Sequence, residues 1–228
     1  QHRMGIHNIQ CWKNSAVGLV GLLLGDAELV EDAVKSPHGF EAQIAKGISA
    51  DGQWYEGAWG YHFYTMMALW GLAEAGQRCG LDTYRFEQDG RSYRRLFEGP
   101  LDLAMPDLNL PAFSDSGTAN VKGVARFYEC ALAHYGEARF VEAIKGSNRR
   151  SLEALVNGVE PLPEARPNGR LATRGSRNFE AAGYAVLQHG VDQNAAWLCL
   201  KYGPHGGGHG HPDKLNFVSY AKGKILGY

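Results

Sequence analysis

Residues 161–175 read PLPEARPNGRLATRG, a stretch rich in Pro, Gly and Arg that separates two kinds of hydrophobic pattern. Before it, apolar residues recur at three- and four-residue spacing in seven segments: NIQCWKNSAVGLVGLLLG, DAELVEDAVKS, FEAQIAKGI, GYHFYTMMALWGLAEAGQRCG, SYRRLFEGPLDLAM, VARFYECALAHYG and EARFVEAIKGS. That period predicts helices, punctuated by Gly and Pro. After it, GYAVLQHG, NAAWLCLKYG and KLNFVSYAKGKILGY alternate or run apolar with β-branched and aromatic residues, which predicts antiparallel strands. The expected class is therefore α+β. A helical domain over 1–160 has short paired helices with small apolar-face residues, which fit an α/α bundle or toroid better than the sustained heptads of a coiled coil. A linker over 161–178 leads to the start of an antiparallel sheet domain over 179–228.

Composition excludes several classes. Twenty-three Lys and Arg stand against 24 Asp and Glu, a net charge of −1, so the chain has no general basic field to gather the phosphates of a nucleic acid. The longest apolar run, Ala16 to Gly25, is about half the roughly 20 residues that span a bilayer and reads as a buried helix. Cys11, Cys79, Cys130 and Cys199 are far apart in apolar segments, as reduced core cysteines are. The opening QHRMGIHNIQ lacks the basic start and apolar stretch of a signal peptide. The strand-like ending GKILGY suggests a piece of a longer protein. P-loop, dinucleotide, GxSxG and HExxH motifs are missing from the sequence, which removes support for NTPase, dehydrogenase, α/β-hydrolase and zincin readings.

Three stretches concentrate polar chemistry. Residues 202–213, YGPHGGGHGHPD, place three histidines, three consecutive glycines and an aspartate in a connection between two predicted strands. Glycine allows positive φ and close approach of backbone to a ligand, and His209 and His211, two apart, share a face in an extended segment. Residues 51–64, DGQWYEGAWGYHFY, carry Trp54, Tyr55, Tyr61, His62 and Tyr64 into a helix; such aromatics either stack on sugar rings or fill core. HNIQCWKN, residues 7–14, sets His7 and Asn8 before an apolar helix, where Asn8 reads on composition as its N-cap. A fourth loop, FSDSG at 113–117, offers Asp115 either to orient a neighbour or to cap the next helix.

With HNIQCWKNSAVGLVGLLLGD, DGQWYEGAWGYHFY, LPAFSDSG and KYGPHGGGHGHPDKLNFVSYAKG assembled, the sequence resembles the heparinase II/III-like polysaccharide lyases, most closely the alginate and oligoalginate lyases among them. The resemblance implies an incomplete (α/α) toroid followed by antiparallel sheets, and β-elimination at a uronic acid, giving a 4,5-unsaturated product without any cofactor in the chemistry. By that resemblance His7, Tyr61 and His209 are catalytic. Asn8, Tyr64, His205 and Trp54 contact the substrate, with Asn8 quieting the uronate carboxylate. His211 marks a structural zinc in the longer enzyme. Relatives often place Asn before His, the reverse of His7–Asn8 here.

The expected partner is an acidic polysaccharide or oligosaccharide, with neither nucleic acid nor membrane. Cations for it would come from residues such as Lys13, Arg126 and Lys214. A glycosaminoglycan lyase and a non-catalytic carbohydrate-binding protein are the alternatives. A toroid hydrolase would need two positioned carboxylates, for which Asp51, Glu56 and Asp115 are available.

Overall fold

The structure, a computed structural model, describes residues 4–147, 151–163, 175–190 and 193–227. Its helical part opens with α1 (Asn8–Leu24), α2 (Ala27–Lys35), α3 (Phe40–Gly47) and α4 (Trp59–Arg78). Gly25 ends α1 in the left-handed conformation, and the Asp26 carboxyl accepts from the Glu28 and Leu29 N–H groups to start α2. One reversal thus takes only two residues, because both orphaned helix ends are capped locally.

Helices α1 and α4 run parallel. Their contacts rise together in number: Trp12 packs on Tyr64, Ser15 Oγ donates to the Ala68 carbonyl, and Gly18 lies under Leu72. A Cβ at Gly18 would sit 2.5 Å from Leu72 Cδ1, so the small residue is what lets the two helices approach. Parallel packing puts both N-termini at one end of the helical part. That end carries Asn8 and Tyr61.

The apolar run in α1 is only half enclosed. Cys11, Ser15, Gly18 and Gly21 are buried, whereas Leu19, Val20, Leu23 and Leu24 are exposed, Leu23 at 84 %. Among the described residues no helix is long and apolar enough to cross a membrane.

Two short hairpins frame α5 (Tyr93–Leu103): β1 (Glu87–Gln88) with β2 (Arg91–Ser92) before it, and β3 (Asn109–Leu110) with β4 (Ala119–Asn120) after it. Then come α6 (Ala125–Tyr135), α7 (Val141–Ile144) and α8 (Leu152–Asn157). The first six helical segments stand where the periodicity puts them. The seventh does not form as one helix: it begins as a 3₁₀ turn at Ala138–Phe140 and yields only the four-residue α7, while α8 forms where no helix was expected, with Leu152, Leu155 and Val156 at helical spacing and Ser151 Oγ accepting from the Ala154 N–H.

The sheet is a five-stranded antiparallel meander: β5 (Arg177–Phe179), β6 (Tyr184–His189), β7 (Ala196–Lys201), β8 (Phe217–Ala221) and β9 (Lys224–Gly227). Its inner face is set by the period of two: Tyr184 pairs with Lys201, Val186 with Cys199, Cys199 with Val218 and Trp197 with Tyr220, all buried. Most of the expected 161–178 linker lies outside the described residues, and β5 begins within it. One hydrophobic cluster joins helices to sheet, with Phe113 stacked on Tyr184 at 5.6 Å. The cysteines are unpaired; Cys11, Cys130 and Cys199 are core residues as expected, but Cys79, at the C-cap of α4, is exposed.

Candidate active site

At the start of α1 the two polar residues exchange their expected parts. His7 is the N-cap, its Nδ1 accepting from the Ile9 N–H at 3.1 Å. Asn8 is the first helical residue, only 3 % exposed, and its Nδ2 donates to Glu56 Oε2 at 2.7 Å. Asn8 thus faces inward instead of capping the helix, because the imidazole already serves the orphaned N–H.

Glu56 lies in the aromatic loop, and the loop's shape explains its burial. Trp54 is fully enclosed, so it reaches the site only through its indole Nε1–H, which also donates to Glu56 Oε2 at 2.7 Å. The expectation of Trp54 touching substrate is therefore corrected to a core residue that holds Glu56. Behind it, the Trp54 N–H donates to His62 Nδ1 at 3.2 Å, and His62 Nε2 bonds the Leu96 carbonyl at 2.8 Å. The two contacts fix a neutral imidazole with its proton on Nε2.

Burial of His62 pushes its pKa down from 6.5 to about 4. The unfolded chain takes up this proton first, so the stability that the neutral imidazole contributes is complete above about pH 6.5 and drains as the pH falls toward 4. Wild type should lose about 2 kcal/mol of unfolding free energy from this group between pH 7 and pH 5. Urea titrations of wild type and His62→Gln should show that slope flattened in the variant; equal slopes would remove the imidazole as its source.

The histidine loop joins β7 to β8 and packs against the same aromatic loop. Gly206 has φ +86°, and a Cβ there would meet the Glu56 carbonyl oxygen at 2.7 Å; at Gly207 it would meet the Tyr55 ring at 2.8 Å. The glycines are therefore needed for two backbones to lie side by side. That approach brings the His209 ring flat onto Tyr61, with centroids 3.4 Å apart and planes at 13°. Its Nε2 lies 3.9 Å from Glu56 Oε1.

Residues 113–116 fasten the loop from the other side. Asp115 takes His209 Nδ1 on Oδ2 at 2.9 Å and His211 Nε2 on Oδ1 at 2.6 Å, and its N–H donates to the His209 carbonyl. These hydrogen bonds from His209 and His211 hold the Asp115 carboxyl below its usual range. Ser114, at φ 58°, donates its N–H to Asp213 Oδ2, while Lys201 Nζ donates to Ser114 Oγ at 2.7 Å and to Asp213 Oδ1 at 2.5 Å. Ser116 Oγ accepts the Trp59 N–H at 2.7 Å and so caps α4.

Of the residues singled out by sequence, the structure gathers Asn8, Tyr61 and His209 into one run of contacts through Glu56. His7 borders it. Tyr64, one turn beyond Tyr61, pairs with the part-exposed Trp12 at 5.5 Å. His205 is exposed and bonds the His211 carbonyl through Nδ1. Tyr55 is 38 % exposed and donates to the Ile6 carbonyl. Arg126 is turned away, over the Phe127 ring at 4.8 Å and 3.7 Å from Glu153.

The donors present do not suit a zinc site. Among the described residues no group of three or more His, Cys, Asp or Glu side chains is disposed to hold a metal ion, and His211 is committed to Asp115. A tetrahedral structural site needs four ligands, so these residues do not complete one.

Sequence reasoning passed over Lys201 and offered Glu56 only as a carboxylate for hydrolysis. For Lys201 a signal existed, since alternation along β7 puts it on the buried face with Trp197 and Cys199. For Glu56 no spacing in the sequence announces its partners.

Two family models match separate parts of the chain. The family described as Alginate lyase matches residues 1–102, and that described as Heparinase II/III-like, C-terminal, matches residues 171–226. An exo-oligoalginate lyase of Saccharophagus degradans is 26 % identical over 97 % of this chain and 32 % of its own length; an alginate lyase of Stenotrophomonas maltophilia is 27 % identical over 96 % and 31 %. The chain thus spans about a third of the length of these relatives. Heparan sulfate lyase HepC from Pedobacter heparinus has the same fold, with TM-score 0.72 at 18 % identity over 98 % of this chain and 32 % of its own. A Heparinase III structure gives 0.68 at 16 % over 96 % and 34 %. With an alginate lyase match on its helices and a heparinase II/III-like match on its sheet, the chain is similar to the alginate and oligoalginate lyases and to the heparinase II/III-like polysaccharide lyases.

Proposed function

We propose that this chain holds the reacting uronate of a polysaccharide lyase that cleaves alginate or oligoalginate by β-elimination. In this reaction a base removes the C5 proton, that electron pair becomes the C4–C5 double bond, and the C4–O bond breaks as an acid protonates the leaving oxygen. The C5 hydrogen is too weakly acidic until the adjacent carboxylate is neutralised. Asn8 serves this role with its remaining amide N–H, helped by the N-termini of the parallel α1 and α4, whose partial positive charge favours an anion at this end.

Tyr61 protonates the leaving oxygen, and His209 or His7 shares the proton traffic at C5. Asp115 on His209 Nδ1 directs Nε2 toward the substrate side, in the manner of an orienting carboxyl. The observation that carries the reading is the Tyr61–His209 stack set beside the Asn8–Glu56 bond. A sugar-binding protein has no need for a phenol and an imidazole held by carboxyl groups. Hydrolysis is disfavoured as well, because Asp51 accepts the Ala181 and Ala182 N–H groups, Asp115 holds two histidines and Glu56 holds two donors.

The choice of alginate over a glycosaminoglycan is supported by the two relatives named for alginate and by a net charge of −1, since a sulfated chain would call for a denser basic groove. The α2–α3 hairpin between parallel α1 and α4 suits an (α/α) toroid. Incubation with polymannuronate, polyguluronate, alginate oligomers and heparan sulfate, followed by ultraviolet absorbance of the unsaturated uronate, tests the proposal. Absorbance should grow with an alginate substrate. New reducing ends without absorbance would mean hydrolysis, and absorbance with heparan sulfate alone would move the substrate.

A further inference from the structure

The buried carboxyl of Glu56 stands between the two halves of the site, and neither the family matches nor the elimination chemistry assigns it a task. It is 2 % exposed. Its Oε2 receives both Asn8 Nδ2 and Trp54 Nε1, each at 2.7 Å, while Oε1 lies across from His209 Nε2 at 3.9 Å. Burying such a group is costly unless its oxygens are matched, and here the matching partners come from the start of α1, the aromatic loop and the histidine loop.

We propose that Glu56 is the positioning residue that sets the Asn8 amide and the His209 imidazole relative to one another. One N–H of Asn8 is tied to Oε2, so the amide plane is fixed and the second N–H projects in a single direction. The indole of Trp54, immobile in the core, keeps Oε2 from rotating away. Oε1 then borders the face of His209 opposite Asp115, so the ring is bracketed by carboxyl oxygens along its Nδ1–Nε2 axis and by Tyr61 below it. Among the described residues no other side chain links Asn8 to His209 by hydrogen bond or ion pair. This inference rests on the lyase reading.

Glu56→Gln separates the two tasks. The amide oxygen can take the place of Oε2 and keep both donors, whereas the new NH₂ replaces Oε1 and offers a proton to His209 Nε2, engaging the lone pair that should face substrate. Expected is a loss in kcat of about 10²-fold with KM changed less than about threefold. Glu56→Ala frees the Asn8 amide and should raise KM as well; adding Asn8→Ala to it should cost little more, because residues acting as one unit are not additive.

Nitrogen NMR of His209 provides a readout that does not need turnover: the Nε2 resonance should move in Glu56→Gln while the melting temperature stays near wild type. A Glu56→Gln protein with wild-type kcat and an unmoved Nε2 resonance overturns the proposal, as do additive Asn8→Ala and Glu56→Ala effects. Failure of the lyase reading looks different. Wild type would then form no unsaturated product, yet the resonance would still decide whether Glu56 governs the imidazole.

Discussion

Tyr61→Phe should lower formation of unsaturated product by about 10²- to 10⁴-fold, the range that a positioned acid or base contributes, while leaving the fold and substrate affinity in place. The variant keeps the ring that lies 3.4 Å from His209 and deletes only the hydroxyl, so the packing at the first turn of α4 has no reason to change. Circular dichroism, calorimetric binding of a uronate oligomer and ultraviolet progress curves should be compared on the same preparation. Loss of turnover with retained binding places the phenol in the transition state alone. Undiminished turnover would shift the proton role to Tyr64, whose ring faces Trp12 one turn away.

The second large effect is on stability. Lys201 is 1 % exposed and gives its ammonium to Asp213 and Ser114. Removing one member of such a buried pair leaves the other with too few partners and typically costs about 3–5 kcal/mol, so Lys201→Met should shift the urea midpoint by an amount of that order. Asp213→Asn added to it should recover part of the loss. Burial pushes the Asp213 carboxyl up, but the hydrogen bonds from Lys201 and the Ser114 N–H outweigh this and hold it below the ordinary value.

The sign of the pH effect follows from that direction. A carboxyl held low in the folded state stabilises fully above its unfolded pKa, and the contribution drains as the pH drops through the folded one. Wild type should therefore weaken below about pH 4 in a step that Lys201→Met lacks. The His62 contribution has already drained between 6.5 and 4, so the two groups act in separate windows. A Lys201→Met protein as stable as wild type, with the same acid limb, would show that the pair does not fasten the sheet.

Much of the fold was legible because its signals are local. Six helices and the strands β6 to β9 follow from period and punctuation, and the Gly25–Asp26 junction is readable as a C-cap followed by an N-cap. The segment 137–147 was misread because a few apolar residues at helical spacing do not outweigh the cost of starting a helix without a cap. The site was legible as a set of residues rather than as a geometry. Tyr61, His209 and Asn8 could be named, but their meeting depends on Gly206 allowing two loops to touch, and on Glu56, whose donors lie 48 residues apart from it in one case and two in the other. His7 and Asn8 show the limit well: either can cap a helix, and only the position of Glu56 decides which one turns inward.

The five residues 113–117 have one further implication, for how such a protein can change over time. Ser114, Asp115 and Ser116 each spend their polar atoms on a different neighbour: the Lys201–Asp213 pair, the two imidazoles, and the first turn of α4. Helices and sheet could be exchanged among relatives as blocks only if this short loop travels with the sheet it fastens. A chimera joined anywhere in 164–174 would inherit the loop from the helical parent, and its histidines would meet a fastening made for another sheet.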